Sequence, residues 1–161
     1  IMQHVFRADL YVYVLNLHQL HQAEKRGTIP DMISSYINFI QNLLEFRKWK
    51  NMGEPKHAIV FSFFDKVRTK VLTRLAEDCD PYDYPCIAKA LKRWYCETFA
   101  MAGVDVAAIP AFVTFTEELP EEEKKAGGRD FVVKRRFFGK EHLVYSRKEL
   151  DRFLKWILEL A

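Results

Sequence analysis

The chain is short of the residues that staple, interrupt or redirect a fold. Its 161 residues include three cysteines, six glycines and six prolines. Cys79, Cys86 and Cys96 form no Cys-x-x-Cys pair, so their spacing does not predict a zinc site. Cys79 and Cys86 flank one linker and could form a disulfide in a protein from a hyperthermophile; otherwise we expect three buried thiols.

Other absences exclude several classes of function. No apolar run reaches the roughly 18 uncharged residues of a membrane span, and the first residues do not have the charge pattern of a signal peptide. We therefore expect a soluble, intracellular protein that is not secreted. The sequence also lacks a glycine-rich phosphate loop and a local Ser-His-Asp or Cys-His grouping. It predicts no catalytic residue, no metal site and no cofactor, which favours a binding protein over an enzyme.

The residues that are present indicate a globular chain. Apolar residues make up 49% of the sequence and aromatic residues 14%, which is too rich in core-forming side chains for a disordered protein. A chain of this length buries roughly two-thirds of its surface on folding, enough for a core that needs neither a metal nor a disulfide. The length predicts one domain, or one domain with a small appendage.

The first hundred residues predict four helices. Apolar side chains recur at helical spacing in four segments, which are residues 4–25, 29–52, 58–76 and 85–102. Thr28 caps the second helix, and Gly53 with Pro55 ends it. The centre of the first helix, residues 11–15, is β-branched and aromatic, so this segment also fits a strand.

The pattern changes to strands after Gly103. Three strands are expected, over residues 111–116, 131–138 and 142–145. A two-residue turn at Gly139-Lys140 joins the last two strands into a hairpin. Ser146 and Glu149 then form a capping box, which begins a helix that reaches the end of the chain.

This order of elements predicts an α+β fold. Residues 1–103 are expected to form a four-helix N-terminal bundle. Residues 104–161 are expected to form a small antiparallel three-stranded sheet closed by a C-terminal helix. Because each part has an apolar face to bury, we expect the two to pack as one domain.

The net charge is only +3, but its distribution along the chain is uneven. Residues 47–74 hold eight cations against two acids, and residues 129–155 hold nine cations against four acids. Acidic residues are concentrated in residues 117–123. This asymmetry suggests one side that faces a polyanion and a solvated acidic loop, with an ordinary mixed surface as the alternative.

The predicted hairpin combines cations and aromatic rings. In the alternation of a strand, Lys134, Arg136, Phe138 and Tyr145 share the face turned away from the helices. Single-stranded nucleic acid binds to such a surface, because cations neutralise phosphates and each base stacked on a ring contributes about 1–3 kcal/mol.

Two predicted helices add cations to this surface, the third in a stripe at i, i+4 and i+8 and the fourth at i and i+4. We therefore predict a non-catalytic nucleic-acid-binding protein that prefers single-stranded DNA or RNA and could be a small subunit of a nucleoprotein complex. The predicted binding residues are Lys66, Lys70, Arg74, Lys89, Arg93, Lys134, Arg136, Phe138 and Tyr145.

Three alternatives stay open. Trp49, Trp156 and Leu160 lie off the predicted inner faces, which fits a protein–protein interaction module or a homodimer. The third and fourth helices, followed by a strand, a long loop and a returning strand, have the order of a winged-helix DNA-binding module. Glu117 and Asp130, at facing strand ends, would be the acid pair of a metal-dependent nuclease.

Overall fold

The computed structural model describes residues 2–27, 31–114, 131–133 and 144–160. Within these residues the helices are α1 (Met2–Val5), α2 (Leu17–Lys25), α3 (Asp31–Trp49), α4 (Phe64–Lys70), α5 (Tyr84–Tyr95) and α6 (Arg147–Glu159). The strands are β1 (Leu10–Asn16), β2 (Lys56–Ser62), β3 (Ala111–Val113), β4 (Phe131–Val133) and β5 (Val144–Ser146). A π-helix (Val71–Leu75) continues α4, and two 3₁₀ helices (Glu97–Ala102 and Val106–Ala108) follow α5.

The α+β class is confirmed, but the predicted three-stranded antiparallel sheet is wrong. The three-stranded sheet is parallel, with the order β1-β2-β3, and Ile59 lies opposite both Tyr13 and Ala111. β1 and β2 occupy segments that the sequence assigned to the first and third helices, so the four-helix N-terminal bundle is wrong as well. The physical reason is that each strand pairs with a segment far away in the chain, which local periodicity does not encode.

Strand β1 shows a period of two once its side chains are placed. Tyr11, Tyr13 and Leu15 are buried, whereas Val12 and Val14 are 39% and 50% exposed. This alternation is that of a strand with one covered face. β2 is buried on both faces, as expected for the central strand of a parallel sheet.

The helices of the crossover connections cover one face of the sheet. Right-handed connections that step in the same direction from β1 to β2 to β3 place their helices on the same side. The ring of Tyr13 contacts the rings of Tyr36 and Phe39 on α3, with centroids 5.2 and 6.4 Å apart. The Tyr36 hydroxyl also donates to the Val14 carbonyl at 2.9 Å, so α3 shields part of the outer edge of β1.

Helix α6 covers the other face at β3. The Phe112 ring lies against Phe153 and Trp156, with centroids 5.1 and 6.2 Å away. On the edge of β3, the Glu149 carboxylate accepts a hydrogen bond from the Val113 amide at 2.9 Å. Arg152 donates to the Ala111 carbonyl at 2.6 Å and pairs with Glu149 at 2.8 Å. The two α6 side chains therefore take the place of a further strand at these two backbone groups.

Three predicted helices persist with changed bounds. The second corresponds to α3 and the C-terminal one to α6, while the fourth is divided into α5 and a 3₁₀ helix. Thr28, its predicted cap for the second helix, lies outside the described residues. β4 and β5 form an antiparallel pair with Val132 opposite Tyr145, and the predicted turn at Gly139-Lys140 also lies outside the described residues.

Two further predictions concern the whole chain. β3, from the second predicted part, pairs with β2 of the first, and the division at residue 103 stays a prediction. Within the described residues, each helix is too short or too polar to cross a bilayer.

Candidate functional site

Helix α5 carries two of the predicted binding residues on its exposed side. Asp83 caps the helix, because its carboxylate accepts a hydrogen bond from a backbone amide of the first turn at 3.1 Å. Ile87 and Leu91 are fully buried and fix the inner face of the helix. Lys89 and Arg93, one turn apart, are exposed as a result.

An exposed tryptophan stands beside these cations. Helical spacing placed Trp94 on the inner face of α5, and this is wrong, because its side chain is 54% exposed. Tyr95 is half-buried instead. Both residues follow Leu91 at a spacing that permits an inner position, three residues for Trp94 and four for Tyr95. The sequence contained the ring but no signal to choose between the two.

A cavity of about 760 Å³ lies beside α5. Its apolar wall comes from Leu75, Ala76, Ala90, Ala100, Val104 and Val106. The wall also includes Cys79 and Cys86, which a disulfide joins. The open question of whether these two cysteines pair is therefore answered, and the remaining Cys96 is a buried thiol.

The charges around this cavity are mixed. Lys89, Lys92 and Arg93 lie on one side of the lining, and the acids of the lining are Glu77, Asp78, Glu97 and Asp105. Lys92 is partly committed to the fold, because its ammonium donates to the carbonyls of Ala107 and Ile109 at 3.0 and 2.6 Å. Burial lowers the pKa of Lys92. The cavity as a whole is therefore not a simple phosphate site.

A second cavity of about 350 Å³ adjoins the first along α5 and shares Lys89 and Lys92 with it. Arg152 and Trp156 from α6 line its other side. Its described lining contains three cations and no acid. This part of the α5 surface is therefore the more favourable one for an anion.

The stripe predicted on the third helix does not form a free cationic surface. Lys70 pairs with Glu24 of α2 at 2.9 Å and also contacts the Nδ1 atom of His21. Burial, together with the nearby ammonium of Lys70, lowers the pKa of His21. Lys70 therefore holds α2 against α4, in a half-buried position.

The other two residues of that stripe are exposed but not aligned as predicted. Lys66 lies on α4, and Arg74 lies in the π-helix. Since a π-helix bonds residues i and i+5, the α-helical spacing from Lys66 to Arg74 does not hold. Arg74 is also close enough to Glu24 to lower the pKa of that carboxyl, together with the hydrogen bond from Lys70.

The hairpin residues of the predicted surface are not placed. Lys134, Arg136 and Phe138 lie outside the described residues, and Tyr145 is described only as a backbone position in β5. Of the nine predicted residues, the described structure thus brings Lys89 and Arg93 together at one cavity.

A separate polar contact lies at the start of β2. The Tyr13 hydroxyl and the Nδ1 atom of His57 are 2.9 Å apart, next to a cavity of about 300 Å³ that His57 and Glu54 line. Burial lowers the pKa of His57 and raises the pKa of Tyr13. The tyrosine is therefore the donor and the neutral imidazole the acceptor.

Neither enzymatic nor winged-helix chemistry gains support from the described residues. They contain no group of three or more His, Cys, Asp or Glu side chains that could hold a metal ion. Glu117 and Asp130, the pair considered for a nuclease, lie outside them. The winged-helix alternative required a helix over residues 58–76, of which residues 58–62 are in β2.

In three comparisons with known proteins, no protein-family model, no curated protein and no solved structure matched the chain.

Proposed function

We propose that the protein binds single-stranded nucleic acid without catalysis, through the exposed side of α5. The observation that carries this proposal is the group of Lys89, Arg93 and Trp94. The two cations are exposed one turn apart, and the neighbouring indole is 54% exposed. We call these three residues the α5 surface.

The α5 surface offers both interactions that a single strand requires. Ammonium and guanidinium groups neutralise phosphates, and this contribution falls steeply with salt. An exposed indole stacks on any base, because each base has an aromatic face, and one stacked base contributes about 1–3 kcal/mol. Together they predict affinity with little sequence preference.

The charges of the two cavities suggest the path of the strand. Glu77, Asp78, Glu97 and Asp105 would repel phosphates from the larger cavity. The smaller cavity holds Lys89 and Lys92 beside Trp156 and has no acid in its described lining. We therefore place the phosphates over the smaller cavity, on the side of α5 that faces α6.

The hairpin face remains a separate part of the proposal. Lys134, Arg136, Phe138 and Tyr145 would extend the binding surface if they lie on the same side as α5. A double change, Lys134→Glu with Arg136→Glu, is expected to abolish binding while the fold stays intact. Binding that is unchanged would remove the hairpin from the surface.

The main test is electrophoretic mobility shift with single-stranded DNA and RNA over a series of salt concentrations. We expect Lys89→Glu with Arg93→Glu to weaken binding at least about tenfold and to reduce the salt slope by roughly 1.4, because each lost phosphate contact accounts for about 0.7 on a single strand. We expect Trp94→Ala to weaken binding about 5- to 150-fold with an unchanged salt slope, since stacking releases no counterions.

The matched control is Lys48→Glu with Lys155→Glu, which changes the net charge by the same amount at exposed positions on α3 and α6. It should leave the affinity close to that of the parent protein. Equal losses for the two double variants would mean that only the net charge matters. No detectable binding by the parent protein at low salt would end the proposal.

The alternative of a protein–protein interaction module now depends on fewer residues. Trp49 is 71% exposed and Leu160 is 37% exposed, which keeps a contact with a second copy as a prediction. Trp156 is half-buried and packs against Phe112, so its substitution would damage the fold as well as any interface. Light scattering of the parent and of Trp49→Ala distinguishes a dimer held at Trp49 from a monomer.

A further inference from the structure

The disulfide between Cys79 and Cys86 stands at the larger cavity. Cys79 follows the π-helix, and Cys86 lies in the first turn of α5. Both residues are half-buried, and both contribute to the cavity wall. A group that enters the cavity can therefore reach the sulfur atoms, which is not the case for a disulfide enclosed in the core.

The two sulfur atoms have different surroundings. Cys86 lies at the N-terminal turn of a 12-residue helix, where the backbone amides favour negative charge, and Lys89 follows at i+3 on the same face. Asp83 opposes this effect, although its carboxylate is already bonded to the Cys86 amide. Cys79 is flanked by Asp78 and Asp80, and the Glu77 carboxylate lines the same cavity. A thiolate is thus more stable at Cys86 than at Cys79.

We propose that Cys79 and Cys86 form a redox-active pair that oxidises a dithiol presented by an extended peptide in the larger cavity. This activity goes beyond nucleic-acid binding and does not depend on it. The apolar wall suits the side chains of the peptide, and Lys89 and Arg93 suit its carbonyls or acidic groups.

The exchange proceeds in two balanced steps. A thiolate of the peptide attacks the sulfur of Cys79, the bond between Cys79 and Cys86 breaks, and Cys86 leaves as the thiolate. The second thiol of the peptide then attacks the peptide sulfur of this mixed disulfide and releases Cys79. The peptide loses two electrons and two protons and gains a disulfide, while the protein gains two thiols.

The third cysteine takes no part in these steps. Cys96 is fully buried, and burial raises the pKa of its thiol to about 12. It is therefore unreactive in the folded protein and serves as an internal indicator of unfolding in the test.

The test mixes the oxidised parent protein with a reduced Cys-Ala-Ala-Cys peptide in the absence of denaturant. Protein thiols are alkylated at intervals and located by mass spectrometry. We expect labels on Cys79 and Cys86 and none on Cys96, with a rate proportional to the peptide concentration. A rate that is independent of peptide concentration, rises with urea and labels all three cysteines together would overturn the proposal, because the bond would then be a structural staple that opens only on unfolding.

Two variants test the assigned direction of attack. In Cys79→Ser, the rate of Cys86 alkylation by iodoacetamide should rise with pH around a midpoint below the ordinary thiol value of about 8.5. A midpoint at or above that value would overturn Cys86 as the leaving group. Lys89→Gln should slow the exchange of the parent disulfide about twofold through the poorer leaving group, and Lys48→Gln should not change it. No nucleic acid is present in these assays, so their failure is separate from a failure of the binding experiment.

Discussion

Several charged residues that a surface count would assign to solvent are part of the core of this protein. Arg47, which contributes to the basic segment of residues 47–74, is only 4% exposed. Its guanidinium donates to the carbonyls of Gly53 and Ala8 at 2.6 and 2.8 Å. Arg47 therefore joins the end of α3 to the segment before β1, and it is not available to a polyanion. Lys70 and Lys92 are likewise engaged by the fold.

The Glu149–Arg152 pair permits a prediction at this scale. The Glu149 side chain is 3% exposed, and its loss would leave the Val113 amide and the Arg152 guanidinium without an acceptor that they now share. We expect Glu149→Ala to lower the free energy of unfolding by about 3 kcal/mol. The control is Glu159→Ala, whose exposed pair with Lys155 contributes less than about 1 kcal/mol. Urea unfolding of both variants measures the difference, and equal effects would contradict the role given to Glu149.

At the scale of elements, the boundaries depend on single side chains. β1 passes directly into α2 at Asn16, whose side chain accepts a hydrogen bond from the Gln19 amide at 3.1 Å. Local reading of the sequence treated residues 4–25 as one helix and did not detect this cap. The apolar spacing in the segment was compatible with both structures, and the strand prevails because β2 offers a hydrogen-bonding partner.

Removal of this cap should destabilise the junction of β1 and α2. Asn16→Ala leaves an amide in the first turn of α2 without its side-chain partner, which we expect to cost about 1 kcal/mol. Asn16→Asp should retain most of the stability, because a carboxylate accepts the same hydrogen bond. Thermal unfolding of the two variants measures the comparison. An Asn16→Asp protein as unstable as Asn16→Ala would show that the cap is not the cause.

At the scale of the whole molecule, two histidines connect stability to pH. His21 lies between α2 and α4, and His57 lies on β2 beside Tyr13. Burial lowers the pKa of both below the ordinary value of 6.5, so both imidazoles are neutral in the folded protein. The unfolded chain takes up these protons first as the pH falls, and the folded state loses stability accordingly.

We therefore expect the free energy of unfolding to decrease as the pH is lowered through 6.5. The slope should not exceed about 1.4 kcal/mol per pH unit for each histidine. Urea unfolding at a series of pH values measures it. His21→Gln and His57→Gln should each reduce the slope, whereas His18→Gln, at an exposed position of α2, should not. A parent protein whose stability is constant across this range would contradict the burial of the two imidazoles as neutral groups.

The amino-acid order alone was enough for the segments whose information is local. α3, α5 and α6 carry a continuous apolar stripe and, for α5, a side-chain cap, and such patterns are present within a few residues of each other. The exposure of Lys89 and Arg93 follows from the same spacing. The order did not decide between Trp94 and Tyr95, since each lies within one turn of the buried Leu91.

The parallel sheet and the fate of most cations were decided only by tertiary contacts. Strands β1, β2 and β3 bond to partners that are separated by whole helices, and neither hydrophobic spacing nor propensity carries that pairing. In the same way, Lys70 and Arg152 look like surface charges until the chain folds and brings Glu24 and the edge of β3 to them. Spacing along the chain sets which side chains can share a face, whereas pairing and burial depend on atoms that are far apart in the chain.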